Sequence, residues 1–141
     1  LEIILTTPQL VAIPVDKVNP NTSWVLFARV NDPRTDLPIT QAGVTSIAYT
    51  VHQTDSATAI GSGTGTLDKT VVVFDRLQTK EDDARWTGTG AGFNFRWSVP
   101  PSLTPTAGLT YRYRVKIVYT DGSTGYIVRD RSAIDWGGPA A

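Results

Sequence analysis

The sequence predicts an all-β chain folded as a two-sheet antiparallel sandwich. Three observations carry that expectation. Apolar residues recur with a period of two along most of the chain. Every window with a helical period is broken by Gly, Pro or Thr within about two turns. Turn residues part the alternating runs at short intervals, and about seven such half-apolar strands need two layers to bury their faces.

Taken in order, "LEIIL" and "QLVAIPV" are apolar but interrupted by Pro8 and Pro14, so residues 1–20 are expected to form an arm or an edge strand. "SWVLFARV" alternates loosely. "NDPRTDLP" (31–38) sets Asp32 before Pro33 and closes on Pro38, which suits a connection and not a central ladder. "SIAYTVHQ" turns Ile47, Tyr49 and Val51 to one side and leaves His52 on the other. "GSGTGT" (61–66) reads as a Gly-rich bend, and "TVVVFDRL" as a more buried strand, apolar on both faces at first. "FNFRWSV" sets Phe93, Phe95, Trp97 and Val99 against Asn94, Arg96 and Ser98. "YRYRVKIVY" sets Tyr111, Tyr113, Val115, Ile117 and Tyr119 against Arg112, Arg114 and Lys116. "TDGSTG" (120–125) is a hairpin loop built on Asp121 and Gly122. The sandwich is expected over 21–134, followed by a C-terminal tail, 135–141, pinned by Trp136.

Composition narrows the function. A chain of 141 residues suits one domain that buries roughly two thirds of the surface its unfolded chain exposes. Thirteen Lys and Arg balance thirteen Asp and Glu, so there is no overall field to draw in nucleic acid or an anionic membrane, and a charged partner must meet a local patch. The lack of cysteine excludes disulfides, thiolate zinc sites and cysteine nucleophiles. No apolar run approaches the ~20 residues of a membrane helix, and no leader pattern opens the chain. Methionine is absent even at position 1, which leads one to expect a processing event or a longer parent chain.

Little in the sequence suggests chemistry. A Ser-His-Asp relay would rest on His52 alone. "KEDDARW" (80–86) and "DPRTD" (32–36) gather carboxylates without the spaced ligands and glycine of a calcium loop, and read as solvated loops. "GSGTGT" lacks the lysine and following helix of a phosphate cradle. The expectation is a protein without catalysis, cofactor or metal.

The stretch "LTYRYRVKIVYTDGSTGYIVRDR" (109–131) admits two readings. In one, the tyrosines fill the core while Arg112, Arg114 and Lys116 cover a wet outer face. In the other those cations form a patch, joined by Arg29 or Arg96 if "SWVLFARV" or "FNFRWSV" lies alongside. Nucleic acid would need stacking aromatics on the side of the cations, and the clearest aromatics point away. An acidic protein remains the partner that such a patch suits.

"LTPTAGLTYRYRVKIVYTDGSTGYI" resembles the last hairpin of fibronectin type III and related immunoglobulin-like modules, in which a leucine and a proline precede a tyrosine that opens a long strand. Leu103, Pro105 and Tyr111 take those parts here, with a spacing about two residues longer than usual, which leaves open whether Tyr111 makes the tyrosine-corner hydrogen bond. The order of "GFNFRWSVP", a proline-containing loop and "AGLTYRYRVKIVYTDGS" is also similar to immunoglobulin-like domains of tailed-phage structural proteins of the baseplate upper protein type. "ARVNDPRTDLPIT" is similar to their strand-turn pattern, with Asp36 in a glycine position. The second resemblance spans roughly residues 24 to 130, and both imply an immunoglobulin-like sandwich, to which the terminal stretches "LEIILTTPQLVAIPVDKVNP" and "AIDWGGPAA" would add N- and C-terminal arms.

Their functional implication is a structural virion component: a decoration, tail, baseplate or fibre-attached module that contacts other structural proteins or copies of itself, as part of an oligomer or larger assembly. Ile3, Ile4, Leu5, Leu10, Val11 and Ile13 of the first arm, Arg112, Arg114 and Lys116, and Trp136 of the tail are the expected contact residues. No nucleic acid or membrane is expected. Terminal arms of this kind can add a strand to a neighbour's sheet or fold back on their own domain, and Pro8 and Pro14 equally suit a monomer that protects an edge. The competing expectation is a secreted recognition module for carbohydrate or a cell surface, using Trp86, Trp136 or Tyr126. A third is an accessory domain of a larger hydrolase, monomeric and with inert ends.

Overall fold

Alternation along the strands becomes two layers in the computed structural model, which describes residues 17–86 and 92–134. The strands are β1 (Lys17–Val18), β2 (Trp24–Ala28), β3 (Val44–Gln53), β4 (Ala59–Leu67), β5 (Val73–Gln78), β6 (Phe93–Val99), β7 (Thr110–Tyr119) and β8 (Thr124–Ala133). One sheet has the order β1-β8-β7-β3-β4 and the other β2-β6-β5. The chain is thus an all-β two-sheet sandwich. Its order is that of an immunoglobulin sandwich, with β2, β6 and β5 where strands B, E and D lie and β3, β7 and β8 where C, F and G lie. Architecture of this kind is shared by unrelated chains.

The core sits between the sheets, where strand alternation aims the apolar positions. Tyr111, Tyr113, Val115, Ile117 and Tyr119 of β7 are at most 2% exposed, and they face Leu26, Phe95, Trp97 and Val99 from the smaller sheet. Two tyrosine hydroxyls then anchor the connection before β7. The Tyr111 hydroxyl accepts the Thr106 backbone N–H at 3.1 Å, the tyrosine-corner bond that the sequence left open. The Tyr113 hydroxyl pairs with the Thr104 hydroxyl at 2.6 Å and donates to the Leu103 carbonyl. Burial pushes its pKa up.

Several elements differ from expectation. The edge strand β1 pairs with β8 in parallel, so among the described strands the sandwich is antiparallel in every pair but that one. "GSGTGT" is no bend: it lies within β4, and the turn comes earlier, at residues 54–58. Its glycines answer close approach instead of a turn. A Cβ on Gly63 would lie 2.5 Å from the Val51 carbonyl oxygen, and one on Gly65 would lie within 2.8 Å of the Tyr49 ring. "TVVVFDRL" is not one strand. Asp68 accepts the Thr70 N–H and hydroxyl and caps a single helical turn, α1 (Lys69–Val72), before β5 begins. Asn94, assigned to a polar face, is fully buried because the chain after β2 folds over it.

The 31–38 connection closes on itself. Asp36 adopts φ 58°, as a glycine would, and Arg34 bridges Asp32 at 2.6 Å and Asp121 at 3.0 Å while lying over the Tyr119 ring. That clasp ties the loop to the tip of the β7–β8 hairpin.

Candidate functional site

The outer face of the larger sheet gathers the expected basic residues. Alternation sends Arg112, Arg114 and Lys116 outward from β7, and register decides what lies beside each. Arg112 stands between His52 and Asp130, Arg114 between Thr50 and Val128, and Lys116 between Ala48 and Tyr126. Arg112 is neutralised by a two-pronged contact with Asp130 at 2.8 and 3.0 Å. That guanidinium holds the Asp130 carboxyl below the usual carboxylate range. Arg114 lies over the Tyr126 ring, 5.3 Å from its centroid. Among the described residues, neither Arg114 nor Lys116 forms an ion pair.

Between these side chains runs an open groove of about 370 Å³, lined by Thr50, His52, Ala57, Arg114, Lys116 and Tyr126. Tyr126 is 54% exposed and Val128 42%, so the cationic row is flanked by an aromatic and an aliphatic side chain that water reaches. His52 directs Nδ1 at the carbonyl of its neighbour Gln53, at 2.7 Å. No side chain arrangement here resembles a nucleophile and its base.

The other expected residues are scattered. Ile3, Ile4, Leu5, Leu10, Val11, Ile13 and Trp136 lie outside the described residues. Arg29 and Arg96 do not join the patch, because β7 runs between β3 and β8 and not beside β2 or β6. Arg129 and Arg131 point from β8 towards the other sheet instead. Arg129 donates to the Phe27 carbonyl at 3.4 Å, and Arg131 lies over the Trp24 ring at 4.8 Å. Trp86 is half-buried and packs edge-on against Phe27 and beside Phe93.

The acidic loop 80–86 is exposed apart from Asp83 and half-buried Trp86. Asp83 is turned inward, its side chain 6% exposed, with Arg85 at 2.7 Å and Arg96 at 3.0 Å. The Arg85 hydrogen bond, with smaller help from Arg96, holds its carboxyl well below the usual carboxylate range. Arg96 in turn covers the Phe74 ring. Among the described residues no group of three or more His, Asp or Glu is placed to hold a metal ion, and no helix is long and apolar enough to cross a membrane.

Four sheet edges among the described strands, the natural sites for adding a strand, are blunted by three different means. β1 has only two residues. β2 is overlaid by Arg129 and Arg131. The registers of β4 on β3 and of β5 on β6 both break, at Thr50/His52 and at Val73/Gln78, and such bulges twist an edge away from a partner. Residues 64–67 of β4 keep a regular register on β3 and carry no charge.

The sequence offers Tyr126 as a recognition residue but does not foresee its place on the cationic face, because that depends on the length of the hairpin loop. A two-residue turn at Asp121 and Gly122 would pair Lys116 with Ile127 and send Tyr126 inward. The loop is one residue longer: Gly122, at φ 88°, donates to the Tyr119 carbonyl, Tyr119 pairs with Ser123, and Lys116 meets Tyr126. No family model, curated protein or solved structure matches this chain.

Proposed function

We propose that this chain is a non-catalytic structural module that works through protein–protein contact, its outer sheet face being one of the contact surfaces. The observation that carries the reading is that face: two cations without a carboxylate partner among the described residues, beside exposed Tyr126 and Val128. Four strands of about ten residues make a surface roughly 34 by 19 Å, or on the order of 650 Å². That approaches the ~800 Å² each partner contributes to a standard interface. The blunted edges support a face over an edge as the contact.

Placement in a phage or phage-like particle, as a decoration, tail, baseplate or fibre-attached module, rests on the sequence resemblance alone. Neighbours are other structural proteins or further copies of the chain, the latter reached through the arm residues Ile3 to Ile13 and the tail at Trp136. Sedimentation of the full chain over a wide concentration range tests the reading. A defined oligomer or growing polymer, returned to monomer by deleting residues 1–13, is the expected result. A clean monomer throughout removes copies of itself from the partner set. It shifts the reading to a secreted recognition module, which the exposed Tyr126 favours, and Tyr126→Ala would then weaken saccharide binding without lowering the melting temperature.

A further inference from the structure

We propose that the Arg114 and Lys116 row receives an extended acidic segment of a different protein, one that carries carboxylates at alternate residues. The inference deepens the assembly reading and rests on it. Its starting point is local charge. Of the three outward cations of β7, Arg112 is spent on Asp130, while the cross-strand neighbours of Arg114 and Lys116 are Thr50, Val128, Ala48 and Tyr126, none of them acidic. On a molecule whose formal net charge is zero, this leaves a local excess of two positive charges on one small surface.

Spacing selects the shape of the ligand. Same-face neighbours on one strand stand about 6.7 Å apart, twice the rise per residue. An extended peptide repeats at that same distance, so carboxylates two residues apart meet both cations at once. A compact anion satisfies one and must stretch to the other. The surroundings agree with a peptide. Tyr126 supports the guanidinium of Arg114 from one side, leaving its N–H edge for a carboxylate. Thr50 and His52 line the groove with hydrogen-bonding groups, and Val128 offers an apolar contact for an intervening side chain.

A second copy of this chain does not supply such a segment. Glu81 and Asp83 are its only acids two residues apart, and Asp83 is turned inward onto Arg85 and Arg96. Stacking the face on its own copy would set like charges against each other. The occupant is therefore another protein.

A short peptide alternating Glu and Thr is the probe, compared with one of the same composition whose glutamates form a single block, and with inorganic phosphate. Binding is read by titration at low salt together with backbone amide shifts. The alternating peptide should bind, with shifts confined to the outer positions of β3, β7 and β8. Arg114→Ala with Lys116→Ala should weaken it about ten-fold, as the loss of two exposed ion pairs implies. Arg76→Ala, on the other sheet, should leave it unchanged. Both residues of the double variant are exposed, so an unchanged melting temperature confirms that it is folded. Equal affinity for the blocked peptide, full displacement by phosphate, or indifference to the double variant would each overturn the proposal. Self-association measured by sedimentation should be the same for the double variant and the wild type, so the peptide series can fail while the assembly reading stands.

Discussion

Asn94 carries a hydrogen-bond pair that a single substitution can take apart in two distinguishable ways. Its amide N–H donates to the Val30 carbonyl at 2.8 Å and its Oδ1 accepts the Val30 N–H at 2.7 Å, with the side chain fully buried. Asn94→Ala removes both bonds. The Val30 carbonyl keeps the Ile39 N–H at 3.1 Å, so the orphan is the Val30 N–H, at about 1–3 kcal/mol, with roughly 1 kcal/mol more for the second bond. A total of about 2–4 kcal/mol corresponds to about 10 °C in melting temperature for a domain of this size. Asn94→Asp keeps the acceptor for Val30 N–H but sets a second carboxylate oxygen against the Val30 carbonyl. Its folded pKa is then raised above the ordinary ~3.9 of the unfolded chain, because only the protonated acid can donate there. Stability that is fully present below the unfolded pKa is lost as pH rises through the folded one. Thermal melts from pH 4 to 8 should therefore show Asn94→Asp falling steadily further behind wild type, while the Asn94→Ala deficit stays constant. Parallel curves for the two variants would show that the amide is not paired as described.

Gly63→Ala should cost about 1–3 kcal/mol in urea unfolding, since its Cβ would lie against the Val51 carbonyl, whereas Gly61→Ala, with open space around it, should stay within about 0.5 kcal/mol of wild type. Tyr111→Phe should lose about 1 kcal/mol, by the same measurement, through the unpaired Thr106 N–H. Asp83→Asn should cost about 1–3 kcal/mol at pH 7, towards the low end because Arg85 is 59% exposed to screening water. The lowered Asp83 pKa stabilises the fold above the unfolded value and ceases to do so as pH falls through the folded one, so the gap between variant and wild type should close in acid.

Strand positions were legible wherever one face is dry. β7 and β6 alternate in sequence, and their inward residues fill the core. What the sequence concealed depends on which segment covers which. A glycine announces a missing side chain but not whether it serves a turn or the close approach of Val51 and Tyr49, and "GSGTGT" was misread for that reason. Asn94 alternates like a solvent-facing residue, and only the chain at Val30 makes it buried. The candidate site was half legible: the row Arg112, Arg114 and Lys116 follows from period two alone. The loss of Arg112 to Asp130 and the arrival of Tyr126 depend on β7–β8 register, which one extra loop residue decides.

The parallel contact of β1 with β8 has a mechanical consequence. Lys17 opens β1 beside Ser132, and the chain leaves β8 where Ile134 donates to the Val18 carbonyl at 2.8 Å. Tension entering before Lys17 and leaving after Ile134 draws the two strands along each other in opposite directions. The bonds between them then resist in shear, sharing the load, instead of parting one after another as in a peeled hairpin. The larger β7–β8 and β3–β7 ladders lie behind this small clamp and are loaded only once it has slipped.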